Sequence, residues 1–197
     1  MLSLFFLPIA AAHADDARGV YAVVRAGEAF NPDVKFDTSG FTAFNDSVKY
    51  KASPTGEMGA GYQFGSFRLE ETLGYTSSNA KDVESHAKAY SLIISALADI
   101  PVSEVIVPYV GGGMGAVRID TQVLSPDVSG EIQTKSWGPF WHLDAGIGFH
   151  LTQRVSLEFG GRYSKTFKMK SLGNDNGILE VTDLHGASVL LGARYLF

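Results

Sequence analysis

Apolar and polar residues alternate one by one along most of the chain, and sustained helical spacing at i, i+3, i+4 and i+7 appears nowhere. A period of two is the pattern of β-strands, so the chain is expected to be all-β. The first strand spans about Gly19 to Gly27, with Val20, Ala22, Val24 and Ala26 on one face and Tyr21, Val23 and Arg25 on the other. The second, Thr55 to Phe64, sets Met58, Ala60, Tyr62 and Phe64 against Glu57, Gly59, Gly61 and Gln63, then turns at Gly65-Ser66, a hairpin signal. In the third, Phe67 to Thr76, Phe67, Leu69, Leu73 and Tyr75 oppose Arg68, Glu70, Thr72 and Gly74, and only Glu71 sits on the wrong face. A fourth strand, about His86 to Ala98, turns through Asp99 to Ser103 into a fifth that sets Ile106, Pro108, Val110 and Met114 against Tyr109, Gly111, Gly113 and Gly115. The sixth, Phe140 to His150, and the seventh, Val155 to Tyr163, are joined by Leu151 to Arg154, and the eighth ends the chain with Ala187, Val189, Leu191, Ala193, Tyr195 and Phe197 on one face.

These strands are about ten residues long, the length a tilted strand needs to cross a bilayer. Short connections alternate with long polar ones at about 28–54, 77–86, 118–136 and 165–183, which implies two different sides. Backbone groups in hydrocarbon must all be paired, and a sheet achieves that only by closing on itself. The pattern therefore predicts an eight-stranded antiparallel up-and-down transmembrane β-barrel. Its apolar face ends in aromatic residues, as in Tyr62, Phe64, Phe67, Tyr75, Trp141, Phe149, Tyr195 and Phe197, the candidate interfacial girdles. The opposite face collects Glu57, Arg68, Glu70, Asp144, Glu158, Arg162 and Arg194 among glycines, which suits a narrow polar lumen where opposite charges pair and no water channel remains. A soluble lipocalin-like barrel would have the reverse polarity, apolar inside and charged outside.

Composition narrows the class further. Net charge is -5 and no run of Lys or Arg occurs, so nucleic acid is not an expected partner. With no cysteine, disulfides, thiolate metal sites and thiol nucleophiles are excluded. The apolar start followed by Ala12-His13-Ala14 and Asp15-Asp16 reads as a signal peptide, residues 1–14, although a basic n-region is missing; the barrel domain is then 15–197. A buried N-terminal strand is the competing reading. An export signal without cysteines points to a bacterial envelope.

Several segments resemble those of the small outer-membrane β-barrels of Gram-negative bacteria, of the opacity-protein and OmpA/OmpX transmembrane-domain type. They are Phe67-Arg68-Leu69-Glu70, the glycine-rich Pro108-Tyr109-Val110-Gly111-Gly112-Gly113-Met114-Gly115, Gly161-Arg162-Tyr163 and the terminal Gly192-Ala193-Arg194-Tyr195-Leu196-Phe197. The resemblance covers the mature chain, and their order and spacing together make it specific. Glu71 departs from it, since the family tends to be apolar there, and is expected nearer the membrane rim. The resemblance implies an outer-membrane location, a C-terminal signature of Val189, Leu191, Ala193, Tyr195 and Phe197 that engages the barrel-assembly machinery, and a role as surface antigen, adhesin or envelope-stabilising protein. Outer-membrane lipid and lipopolysaccharide are the expected partners, with a host ligand at the loops and a monomeric state.

An enzymatic reading competes with this, because some small barrels modify lipid A with a His, a Ser and a carboxylate. His13 lies in the signal segment, and His86 and His185 fall at loop edges. His142 and Asp144 share an inward face, yet no nucleophile motif stands beside them in sequence, so an interior polar network is the expected reading. Metal binding by His142, Asp144 and Glu158 fits on ligand type and poorly on spacing. Gly111-Gly112-Gly113-Met114-Gly115 lacks the Lys-Ser/Thr ending of a phosphate loop. No catalytic, cofactor or metal site is expected, the alternatives being an outer-membrane lipid-modifying enzyme or a small porin-like channel.

Overall fold

The computed structural model describes residues 18–30, 52–79, 85–124, 131–167, 169–172, 178–181 and 185–197. Residues 1–14, expected from sequence to be a signal peptide, lie outside them. Ten strands follow in chain order: β1 (Arg18–Phe30), β2 (Ser53–Phe64), β3 (Phe67–Asn79), β4 (Ser85–Asp99), β5 (Ile106–Leu124), β6 (Glu131–His150), β7 (Val155–Thr166), β8 (Met169–Leu172), β9 (Ile178–Val181) and β10 (His185–Leu196). Neighbours in sequence pair antiparallel from β1 to β7, and β10 pairs with both β7 and β1, so eight strands close an all-β barrel. Closure removes the free sheet edges that hydrocarbon would not tolerate.

Alternation decides what each wall presents. Val20, Val24, Met58, Leu69, Leu73, Ile94, Met114, Leu143, Phe159 and Leu191 are all exposed on the outside, whereas Arg68, His142 and Glu158 are each only 1% exposed inside. That polarity suits a barrel in lipid. Most outward aromatic residues of the wall fall into two rows, Phe159 at mid-height on β7 being an exception. Tyr62, Phe64, Phe67, Phe149, Tyr195 and Phe197 lie toward the tight turns, and Tyr75, Tyr90, Trp141 and Tyr163 toward the long connections. Trp141 and Phe149 are eight residues apart on β6, roughly 20 Å at the usual rise and tilt, close to the height of a hydrocarbon band.

The turn end is tightly built. Gly65 adopts a positive φ of 69°, which places Gly at the first central position of the two-residue hairpin between the paired Phe64 and Phe67. The Gln63 amide donates to the Gly65 carbonyl at 3.0 Å and fastens the turn.

At the loop end the strands run further than hydrophobicity suggests. The segment expected to be a loop at 118–136 is mostly sheet, since β5 reaches Leu124 and β6 starts at Glu131, paired along their whole length. Pairing of backbone groups needs no apolar face, so the ladder of β4, β5 and β6 continues above the hydrophobic band, with Ser85 paired to Val123 and Leu124 to Glu131. The connections at 28–54 and 77–86 are likewise shorter, 31–52 and 80–84. The segment 165–183 contains the hairpin β8–β9, and β8 pairs with β6 through Lys135 with Leu172 and Ser136 with Ser171. Glu71 is not near a rim: it is exposed on the outer wall, midway along β3 between Phe67 and Tyr75.

Candidate functional site

The polar chemistry of the described residues gathers in the lumen, and tyrosine rings close its turn end. Tyr21 and Tyr109 point inward and are nearly inaccessible, an arrangement the inward glycines permit. A Cβ on Gly160 would collide with the Tyr109 hydroxyl, and one on Gly61 with the Tyr21 ring. Arg68 stacks over Tyr109 at 5.1 Å and Arg194 over Tyr21 at 5.4 Å. Arg68 also donates through Nε to Asp99 at 3.0 Å, and Arg194 to the Gln63 side-chain oxygen at 2.8 Å.

Above this layer Arg25 is the hub. Its guanidinium reaches Glu57 at 2.9 Å, Glu70 at 2.5 and 2.9 Å, and Glu158 at 2.8 Å, so a residue of β1 ties together β2, β3 and β7. Glu158 also accepts from Arg68 at 2.7 Å and lies 3.4 Å from Arg194. Arg162 completes the lattice, donating to Glu57 at 2.6 Å and to Asp144 at 2.6 Å. Each carboxylate here faces a guanidinium, the condition under which buried charge is tolerated. The seven lumen residues expected from sequence, Glu57, Arg68, Glu70, Asp144, Glu158, Arg162 and Arg194, thus share one connected cluster. Sequence reasoning missed Arg25 and Asp99. Arg25 keeps the parity of Tyr21 and Val23, an otherwise apolar face, and Asp99 keeps the parity of Ile93, Ser95 and Leu97 but reads as a turn residue.

Nearer the loop end His142 meets a hydroxyl that the sequence does not announce. Ser95 Oγ from β4 lies 3.1 Å from His142 Nε2, and Asp144 Oδ2 lies 3.3 Å from the same nitrogen. A hydrolytic relay needs hydroxyl and carboxylate on opposite ring nitrogens. Here Nδ1 is buried without a partner, as is Thr72 Oγ1. The group therefore has the residue types of a triad without its wiring. Glu158 is engaged by arginines, and among the described residues no three His, Asp or Glu side chains gather as a metal site.

The residues of the C-terminal signature occupy the outer wall of β10. Val189, Leu191 and Tyr195 are exposed there, Ala193 shares their face, and Phe197 packs edge-on against Tyr195 with ring centroids 5.2 Å apart.

Comparison with solved structures shows the same fold in several outer-membrane proteins. Neisserial surface protein A is similar at 19% identity with a TM-score of 0.61, covering 91% of this chain and 97% of that one. AlkL, determined in lipid bilayers, is similar at 16% identity and a TM-score of 0.58, covering 100% of this chain and 97% of that one. Ail, the attachment invasion locus protein of Yersinia pestis, in complex with the heparin analogue sucrose octasulfate, is similar at 14% identity and a TM-score of 0.50, covering 91% and 99%. No curated protein matches the chain. A family model, the outer membrane protein beta-barrel domain, matches residues 1–197. Closed barrel, lipid-facing apolar wall and charge-filled lumen agree with it, and the chain belongs to that family of the bacterial outer membrane.

Proposed function

We propose that the protein is a non-enzymatic surface protein, an antigen or adhesin, that uses the barrel as an anchor and acts through the four connections at its loop end. One observation carries this reading: the lumen is crossed by the lattice of Arg25, Arg68, Arg162 and Arg194 with their carboxylates. A filled lumen supports neither conduction nor access of substrate to the Ser95–His142–Asp144 group, whose members are almost fully buried. What is left for recognition is the sequence at 31–52, 80–84, 125–130 and 167–184, bounded by rigid strands. In bacterial barrels the short turns are periplasmic and the long loops extracellular, which places these segments at the cell surface. Fold relatives named for surface location and for attachment are consistent with this use of the scaffold.

The test is exchange of all four connections with those of a relative, scored by antibody and host-cell binding. Transfer of binding with the loops is expected, and binding unaffected by the exchange would overturn the proposal. Lipid A should have the same mass spectrum with and without the gene, and planar bilayers containing the protein should show no discrete conductance steps.

A further inference from the structure

Glu71 is a carboxyl in a place built for hydrocarbon. It lies four residues from Phe67 and four from Tyr75 along β3, hence about 10 Å of depth from either aromatic row, too far for so short a side chain to reach an interface. Leu69 and Leu73 flank it on its strand, and Ala60 and Ile94 sit beside it in register on β2 and β4. Among the described side chains, the other charged residues that alternation turns outward sit at one end or the other of the barrel wall: Arg18 at the turn end of β1, and Glu28, Lys88, Arg118, Asp120, Lys135 and Lys165 toward the loop ends of their strands. Among the described residues nothing donates a hydrogen bond to Glu71. An ionisable group facing lipid is unfavourable unless a partner meets it, and persists where it has a use.

We propose that the outer wall around Glu71 is an interface between two copies of this chain, joined by a carboxyl–carboxyl hydrogen bond on a two-fold axis along the membrane normal. Depth is the first argument. Two copies inserted in one orientation necessarily carry Glu71 at the same level, so the axis that brings β3 against β3 brings the two carboxyls together without further adjustment. Self-complementarity is the second. A carboxyl O–H can donate to the oxygen of its twin, so a single acidic residue per copy suffices. Shape is the third: Ala60 lies directly beside Glu71 on β2, so the wall is low on that flank and a second wall can approach the carboxyl from the β2 side. A lipid ammonium would have to leave its headgroup layer to reach this depth. The monomer expected from sequence becomes, on this reading, a weak two-fold dimer of barrels.

The absence of native cysteine makes the test direct. Ala60→Cys in the full chain, expressed in the outer membrane and oxidised in intact cells, should give a cross-linked band at twice the mass of the monomer. Phe159→Cys, at mid-height on β7 across the barrel, should not. Adding Glu71→Ala to Ala60→Cys should lower the cross-link yield by about fivefold or more, the range expected for an interhelical-type polar contact in lipid, while Glu71→Gln, whose amide can pair with its twin, should retain most of it. Glu71→Ala exchanges a polar lipid-facing group for an apolar one, so folding is preserved and is checked by the heat-modifiable band. Equal yields at Ala60→Cys and Phe159→Cys, no cross-link at Ala60→Cys, a yield indifferent to Glu71→Ala, or a product with another protein would each overturn the proposal.

Discussion

Replacing Arg25 by Met tests whether the lumen is held by its ion-pair lattice, and the structure says where the loss will fall. Arg25 contacts three carboxylates, yet two of them have a second cation: Glu57 keeps Arg162 at 2.6 Å and Glu158 keeps Arg68 at 2.7 Å. Glu70 keeps only the Tyr21 hydroxyl, at 3.1 Å. The cost is therefore that of one broken buried pair and not of three, about 3–5 kcal/mol. In formal charge, Arg25, Arg68, Arg162 and Arg194 face Glu57, Glu70, Asp99, Asp144 and Glu158, so the lumen carries one negative charge in excess before the change and two after it. Adding Glu70→Gln to Arg25→Met should recover about half of the loss, whereas adding Glu57→Gln should recover little. Urea unfolding in lipid vesicles, followed by tryptophan emission and by the shift of the folded band, measures each variant. A loss under about 1 kcal/mol for Arg25→Met, or equal recovery from the two glutamines, would refute the assignment of Arg25 as hub.

Gly160→Ala should destabilise the barrel by about 1–3 kcal/mol through overpacking against Tyr109, and Tyr109→Phe, which removes the colliding hydroxyl, should restore most of it; no rescue in the same urea assay would mean the clash lies elsewhere. Deleting Phe197 should reduce the folded protein recovered from outer membranes while leaving its synthesis unchanged, and undiminished levels would remove the assembly role from the β10 outer face. Epitope tags near Asn45 or Asn174 should be reached by antibody on intact cells, and a tag at Val102, in the turn between β4 and β5, only after the outer membrane is opened; labelling of the Val102 tag on intact cells would invert the topology.

Strand number, inward and outward faces and the aromatic rows are legible in the sequence because one physical rule generates all three. Lipid outside and a crowded polar lumen inside translate into strict alternation, and a period of two survives without knowledge of partners. What alternation cannot reveal is which inward residue meets which. Ser95 and His142 are 47 residues apart and touch only because β4, β5 and β6 are consecutive staves. Arg25 escapes notice for a similar reason, since its neighbours Tyr21 and Val23 face the lumen as apolar residues. Above the band the rule itself lapses: between Arg118 and Ser136 the apolar alternation fades in the sequence while the hydrogen-bonded ladder of β5 and β6 continues.

The lumen lattice also supplies something the pattern lacks. Sliding one strand by two residues past its neighbour leaves every side chain on its proper wall, so alternation specifies register only to within that step. The ion pairs remove the degeneracy. Arg25 joins β1 to Glu158, 133 residues away on β7, and to Glu57 and Glu70 on β2 and β3, so a two-residue slip on any of these strands would move its charge by more than 6 Å and leave a buried carboxylate unmatched. Backbone pairing holds the barrel closed whatever the register. The cross-lumen contacts of Arg25, Arg68 and Arg162 are what select one closure from the set that the hydrophobic pattern alone permits.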